Sequence, residues 1–177
     1  MSLESLKTAN LQILSQLEEV LEQLHAQDFS MPLDILSGNT IGMHVRHVVE
    51  LYLEFFTGMA EGEINYDKRK RNLTLQEDLE TAIWALKDVK TQVKALQNET
   101  ALLVKSCFVD SEIIQLPSSL SRELAYNLEH SIHHMAILQI CFKQYFTKLI
   151  LPVHFGVANS TIQYQTKNVY TELPASS

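Results

Sequence analysis

The sequence contains few of the residues that build turn-rich or disulfide-bonded proteins. Its 177 residues include only five glycines, four prolines and two cysteines. Such low glycine and proline content leaves little material for β-rich turns or a glycine-rich phosphate loop, and two cysteines are too few for a disulfide scaffold. The longest apolar stretch near the C-terminal end, Met135 to Phe142, is interrupted by Gln139 and is far too short to span a membrane. These shortages favour a helical fold without disulfides.

Positive charge is also scarce. Lysine and arginine number 14 against 21 aspartates and glutamates, so the net charge is −7, which excludes a generally basic nucleic-acid-binding protein. The basic run Lys68 to Arg71 is an exception, and in so acidic a chain we interpret it as a solvated loop. Residues 1–27 show an amphipathic pattern with acids spread through it, which is unlike a signal peptide. We therefore expect a cytoplasmic protein that binds neither nucleic acid nor a membrane.

Apolar residues recur at three- and four-residue spacing in four long segments, which predicts four amphipathic helices. The predicted helices run over about 3–24, 39–62, 74–96 and 119–148. Asn39 or Thr40 can cap the second helix, and Thr74 with Glu77 forms a capping-box pattern at the start of the third. Short β-branched runs on either side of a polar turn at Asp110-Ser111-Glu112 predict a small hairpin before the last helix.

These elements predict an all-α protein, an antiparallel four-helix bundle with a small β-hairpin before its last helix. The bundle is expected to occupy residues 1–150. Residues 151–177 show no clear period, so we expect an extended C-terminal tail packed on the same domain.

Five of the seven histidines lie in two short clusters on predicted helices. His130 and His134 are four residues apart, so they lie on one helical face and can direct two imidazoles at one metal ion. His133 falls on roughly the opposite side of the helix from its apolar core face, which His130 and His134 flank. Either His44 or His47, on the second helix, can supply a third ligand, and periodicity does not choose between them. Three histidines with one open position are typical of a catalytic metal site, whereas the alternative is a set of ordinary surface or core histidines.

Charged residues near these helical faces are candidates for supporting roles. Glu54 and Glu123 share faces with the histidines and can orient a ligand or act as a base. Arg46 and Arg122 can bind an anionic group of a substrate. For each of the four, a plain surface role is the simpler interpretation, so the sequence identifies no catalytic residue.

Two segments resemble a known family. Residues Thr40 to His47, TIGMHVRH, look like the start of the second helix in the DinB/YfiT-like family, and His130 to His134, HSIHH, is similar to that family's second metal motif. The similarity extends to the helix order over most of residues 1–150. The resemblance implies a metal-binding four-helix bundle that is often a homodimer. It also implies a divalent metal ion, nickel or zinc, on His47, His130 and His134, with His44 as a neighbour and no other cofactor.

Characterised members of that family resemble metal-dependent hydrolases or thiol-dependent transferases and isomerases. The resemblance therefore implies a divalent-metal-dependent enzyme of the hydrolase or thiol S-transferase type, whose small-molecule substrate, such as a thiol, binds in a groove between helices. An ion held by three neutral imidazoles would lower the pKa of a bound water or thiol to about 7. The alternatives are a non-catalytic metal- or ligand-binding bundle and a protein–protein interaction module.

Overall fold

A computed structural model describes residues 2–107 and 112–171, and this part of the chain is mostly helical with a small mixed sheet. The helices are α1 (Leu3–Leu21), α2 (Ala26–Ser30), α3 (Ile41–Glu61), α4 (Thr74–Glu77), α5 (Leu79–Ala95), α6 (Leu120–Tyr145) and α7 (Asn159–Thr171). The strands are β1 (Glu63–Ile64), β2 (Ala101–Cys107) and β3 (Ile113–Ser119). The predicted helical character is confirmed. No helix of the described residues is long and apolar enough to cross a membrane.

The four long helices α1, α3, α5 and α6 lie within the four segments that the hydrophobic period predicts. α3 packs against α5 and α6, and α1 packs against the same two helices. The apolar stripes of all four meet in one core, where Leu14, Tyr52, Leu86 and Phe142 are almost completely buried. Burial of these stripes, which is the main favourable term in folding, brings the histidine-bearing helices α3 and α6 side by side. The antiparallel four-helix bundle stays a prediction.

Hydrogen-bonding side chains determine where the long helices begin. The hydroxyl of Thr40 caps α3 by accepting a hydrogen bond from the N–H of Met43, 3.0 Å away, and Ser119 caps α6 in the same way. The predicted capping box at Thr74 does not start the third long helix. Asp78, with an extended backbone, caps α5 instead, because the helical turn α4 ends before it.

The predicted hairpin is part of a larger sheet. β2 and β3 pair antiparallel, with Ala101 opposite Ser119, and β1 adds a parallel edge strand with Glu63 opposite Leu103. β1 has only two residues, too few for a periodic pattern to reveal it in the sequence. The predicted turn at Asp110 to Glu112 falls largely on residues 108–111, which lie outside the described part of the chain.

The prediction of an extended C-terminal tail was wrong for Asn159–Thr171, which forms α7. This segment is mostly polar, so it lacks the apolar stripe by which the other helices are recognised. Before it, Phe155 is completely buried against the core, and Gly156 turns the chain at φ +68° beside the backbone of α6. The tail is therefore anchored to the helical core at one aromatic side chain.

Candidate metal centre

Three imidazoles converge between α3 and α6. His47 extends from α3, and His130 and His134 extend from α6, one helical turn apart. One nitrogen of each ring lies within 4.8 Å of the others, close enough for the three to bind one ion. We call His47, His130 and His134 the three-histidine cluster. The packing of α3 on α6 thus brings together all three residues that the sequence analysis proposed as ligands.

The distances within the three-histidine cluster suit a tetrahedral ion. The Nε2 atom of His130 lies 2.8 Å from Nε2 of His47 and 3.1 Å from Nε2 of His134. Zinc–nitrogen bonds of about 2.0–2.1 Å would place neighbouring ligand nitrogens roughly 3.3 Å apart. A neutral ring has one lone pair or one proton at Nε2, so His130 cannot make good hydrogen bonds to both neighbours. A cation at the centre, accepting all three lone pairs, satisfies the three atoms together.

The surroundings keep these rings neutral. Burial, aided by the nearby charge of Arg69, lowers the pKa of His47 from its ordinary value of 6.5 to about 4. Burial and the neighbouring histidines lower the pKa of His134 to about 3, and burial also lowers the pKa of His130. A metal ligand must be deprotonated. The three-histidine cluster is therefore in the protonation state that metal binding requires at neutral pH.

His44 lies behind the three-histidine cluster and contacts one of its members. Its Nδ1 atom is 2.9 Å from Nδ1 of His134, on the side of the His134 ring away from the other two ligands. If His134 binds an ion through Nε2, its Nδ1 carries the proton and donates to His44. His44 is consequently placed to orient a ligand, whereas the exposed His133 lies outside the group of converging nitrogens.

Arg69 contacts the opposite end of the cluster. Its Nη2 atom lies 3.2 Å from Nδ1 of His47 and donates to it only when that nitrogen has no proton. A neutral His47 would then carry its proton on Nε2, the atom that faces the other ligands. Metal binding therefore requires the proton to move to Nδ1 and Arg69 to turn away. The interpretation of Lys68 to Arg71 as a solvated loop was wrong for Arg69, whose side chain is only 14% exposed.

The two acidic residues proposed from the sequence, Glu123 and Glu54, lie in different surroundings. Glu123 is completely buried and accepts hydrogen bonds from the hydroxyls of Tyr66 and Ser118 and from the guanidinium of Arg122. These contacts tie its carboxylate to the sheet side of α6. Glu54 is partly buried on α3, and burial raises the pKa of its carboxyl group. Neither carboxylate belongs to the group that can hold a metal.

Two cavities lie near the three-histidine cluster. One, of about 230 Å³, opens at the cluster and is lined by Asn39, Met43, His44, Arg46, His47 and His134. The other, of about 420 Å³, lies between the β2–β3 hairpin and α6 and has a mainly apolar lining that includes Tyr66, Leu116 and Tyr126. The ring of Tyr126 is 5.5 Å from that of His130, so this aromatic side chain stands between the second cavity and the cluster.

Comparison with known proteins finds a similarity over part of the chain. The chain is 37% identical over 114 residues to FK506-binding protein 5 of the fungus Rhizopus delemar (strain RA 99-880). The aligned region covers 59% of this chain but only 28% of the relative. No family model matches the chain, and no solved structure matches it.

These comparisons overturn the resemblance to the DinB/YfiT-like family, because the similar protein has the name of a different family. The assignment failed because its motifs are short. Two histidines four residues apart reflect the period of an α-helix, which any helical metal site shares. The expectation of a homodimer depended on that resemblance alone and stays a prediction. The proximity of the three histidines does not depend on that resemblance, because the packing of α3 on α6 produces it.

Proposed function

We propose that this chain is a divalent-metal-dependent enzyme acting on a small molecule, with zinc or nickel bound by His47, His130 and His134. The observation that carries the proposal is the convergence of three Nε2 atoms beside an open cavity. Three imidazole ligands leave a fourth coordination position for water or substrate, which is the arrangement of catalytic sites. Imidazole nitrogen suits both zinc and nickel.

The chemistry of such an ion limits the reaction type. A bound divalent ion lowers the pKa of a coordinated water or thiol and so supplies a nucleophile at neutral pH. Hydrolysis and thiol transfer are therefore the proposed reactions. The cavity of about 230 Å³ beside the cluster is smaller than the roughly 300–1,000 Å³ of sites for drug-sized ligands, which favours a small substrate or one small reacting group.

Metal content tests the site directly. Untagged wild-type protein is compared by mass spectrometry with His47→Ala and His134→Ala after exposure to zinc and to nickel. We expect about one ion per chain in the wild type and loss of that ion in both variants, because two imidazoles rarely hold a divalent ion tightly. His133→Ala is the matched control, since it removes an exposed imidazole from the same helix. Metal-free wild type, or equal metal in all four proteins, would contradict the proposal.

Turnover tests the enzymatic part of the proposal. Metal-loaded protein is screened against small esters, amides and thiol conjugates, with His134→Ala as the inactive reference. Activity that requires both the ion and His134 supports an enzyme. An ion that binds stoichiometrically without any turnover across these classes favours the non-catalytic metal-binding alternative.

A second candidate function is binding of an apolar small ligand between the hairpin and α6. The cavity of about 420 Å³ lined by Tyr66, Leu116 and Tyr126 favours it, and the name of the fungal relative describes binding of FK506. Calorimetric titration of the chain with FK506 tests this possibility. A heat of binding that is lost in Tyr126→Ala would support this function. No heat of binding at concentrations up to the solubility of FK506 would show that the chain does not bind FK506.

A further inference from the structure

A buried arginine lines the cavity at the three-histidine cluster. Arg46 on α3 is only 7% exposed and shares this cavity with His44, His47 and His134. Arginine is almost never buried without a partner or a function. Among the described residues that line the cavity, none carries a carboxylate. In the described wall of the cavity, no acidic side chain therefore balances the positive charge of Arg46.

The nearest anion is shared between two arginines. Glu50, almost completely buried on α3, lies 3.5 Å from Nε of Arg46 and 3.6 Å from Nε of Arg69. It also accepts a hydrogen bond of 2.8 Å from the backbone N–H of Asn72. Arg69 also interacts electrostatically with the carboxylate of Glu54, so the two arginines face two carboxylates. A divalent ion on three neutral imidazoles would add two uncompensated positive charges.

The two arginines also retain hydrogen-bonding capacity. The Nε atoms of Arg46 and Arg69 are buried without a hydrogen-bond partner, and so is Oε2 of Glu50, whose carboxylate both Nε atoms face at ion-pair distance. Unsatisfied buried donors are uncommon and call for an explanation, for which a bound ligand is one. Guanidinium groups bind carboxylates and phosphates particularly well because their N–H groups form a planar fork. The buried guanidinium of Arg46 in the wall of the cavity and the charge of the proposed ion together point to an anion.

We propose that the substrate of this site carries an oxyanionic group, a carboxylate or a phosphate, and that Arg46 binds this group beside the metal ion. The inference rests on the proposed metal site, since the ion would receive the reacting part of the same molecule. Arg46 thereby acts as a specificity-determining residue that selects anionic over neutral substrates. Arg69, which metal binding displaces from His47, adds to the positive potential on the same side.

The test uses cobalt-loaded full-length protein, whose visible absorption reports ligands that approach the ion. Wild type is titrated with acetate, with inorganic phosphate and with acetamide, which matches acetate in shape but is neutral. We expect at least one of the anions to bind about tenfold or more tightly than acetamide, as a charge-assisted hydrogen bond predicts. We expect Arg46→Gln to remove this preference, Arg46→Lys to keep part of it, and the exposed Arg71→Gln to leave it unchanged.

Metal content measured on the same samples separates the two proposals. If cobalt binds but wild type does not distinguish the anions from acetamide, the inference about the substrate is wrong and the metal site stands. The same conclusion follows if folded Arg46→Gln, checked by circular dichroism, keeps the full preference. If wild type binds no metal, the proposed function fails and this inference fails with it. A wild type without any preference overturns the inference even if Arg46→Gln does not fold, and in that case Arg46→Lys tests whether the preference depends on Arg46.

Discussion

Each imidazole of the three-histidine cluster can offer Nε2 to an ion only while its Nδ1 carries the proton. The residues that contact Nδ1 therefore act on metal affinity without touching the ion. His44 can accept the Nδ1 proton of His134, whereas Arg69 presents a donor to Nδ1 of His47. The two contacts oppose each other: His44 supports the ligating tautomer, and Arg69 disfavours it.

Removing the supporting contact should weaken metal binding. We expect His44→Leu to lower zinc affinity by roughly 10- to 100-fold, the usual effect of losing a residue that orients a ligand, while about one ion per chain still binds at saturation. Competition with a chelating dye measures the affinity. His133→Ala should leave it unchanged. Unaltered affinity in His44→Leu would show that His44 does not orient His134.

Removing the opposing contact should have the reverse effect. Arg69→Gln replaces a permanent donor and a positive charge with an amide whose oxygen can accept from Nδ1 of His47. We expect zinc to bind about tenfold more tightly, with Glu50 still paired with Arg46. The same dye competition is used, with Arg71→Gln as the control. Weaker binding in Arg69→Gln would mean that Arg69 supports the cluster rather than competing with the ion.

At the scale of elements, several contacts hold the segment between β1 and α5 against α3. The carboxylate of Glu50 accepts from the N–H of Asn72, Arg46 donates to the side chain of Gln76, and Gly42 lies against the backbone carbonyl of Gln76. These contacts position Arg69 beside His47. The close approach at Gly42 is possible only because glycine has no Cβ atom.

A methyl group at position 42 should therefore destabilise the protein. A Cβ atom there would lie 2.1 Å from the carbonyl oxygen of Gln76, so α3 and α4 must separate. We expect Gly42→Ala to lower the free energy of unfolding by about 1–3 kcal/mol, measured by urea denaturation. Thr57→Ala on the exposed face of the same helix should change it by less than about 0.5 kcal/mol. Equal stability of the two variants would contradict the close packing at Gly42.

At the scale of the whole molecule, the buried histidines link folding to pH. The pKa values of His47 and His134 are lowered to about 4 and about 3 in the folded chain, against an ordinary value of 6.5. Below 6.5 the unfolded chain binds protons that the folded chain does not, so unfolding becomes more favourable as the pH falls. Above 6.5 both states are neutral at these positions and the effect disappears.

We expect the stability of metal-free protein to decline as the pH falls from about 6.5 toward 4. Urea midpoints at about pH 7 and pH 5 measure the decline, and the double variant His47→Gln, His134→Gln should lose clearly less than wild type over this interval. An equal loss in both proteins would assign the decline to other groups. Added zinc should raise the wild-type midpoint at neutral pH, since an ion that binds only the folded state stabilises it.

Local patterns were sufficient to predict several features. The apolar periods located the four long helices, a cap at Asn39 or Thr40 marked the start of α3, and the four-residue spacing paired His130 with His134. Each of these features depends on residues within one or two turns of the same helix. The sequence therefore determined them by itself, because helical geometry relates such neighbours directly.

Only the tertiary structure decided the remaining features. The packing of α3 against α6 brings His47 into the cluster and places His44 behind His134. Packing of the loop after β1 turns Arg69 inward, and the polar tail forms α7 beyond its buried anchor, Phe155. These outcomes depend on contacts between residues far apart in the chain. Neither periodicity nor composition carries that information, because both describe one segment at a time and not how segments pack together.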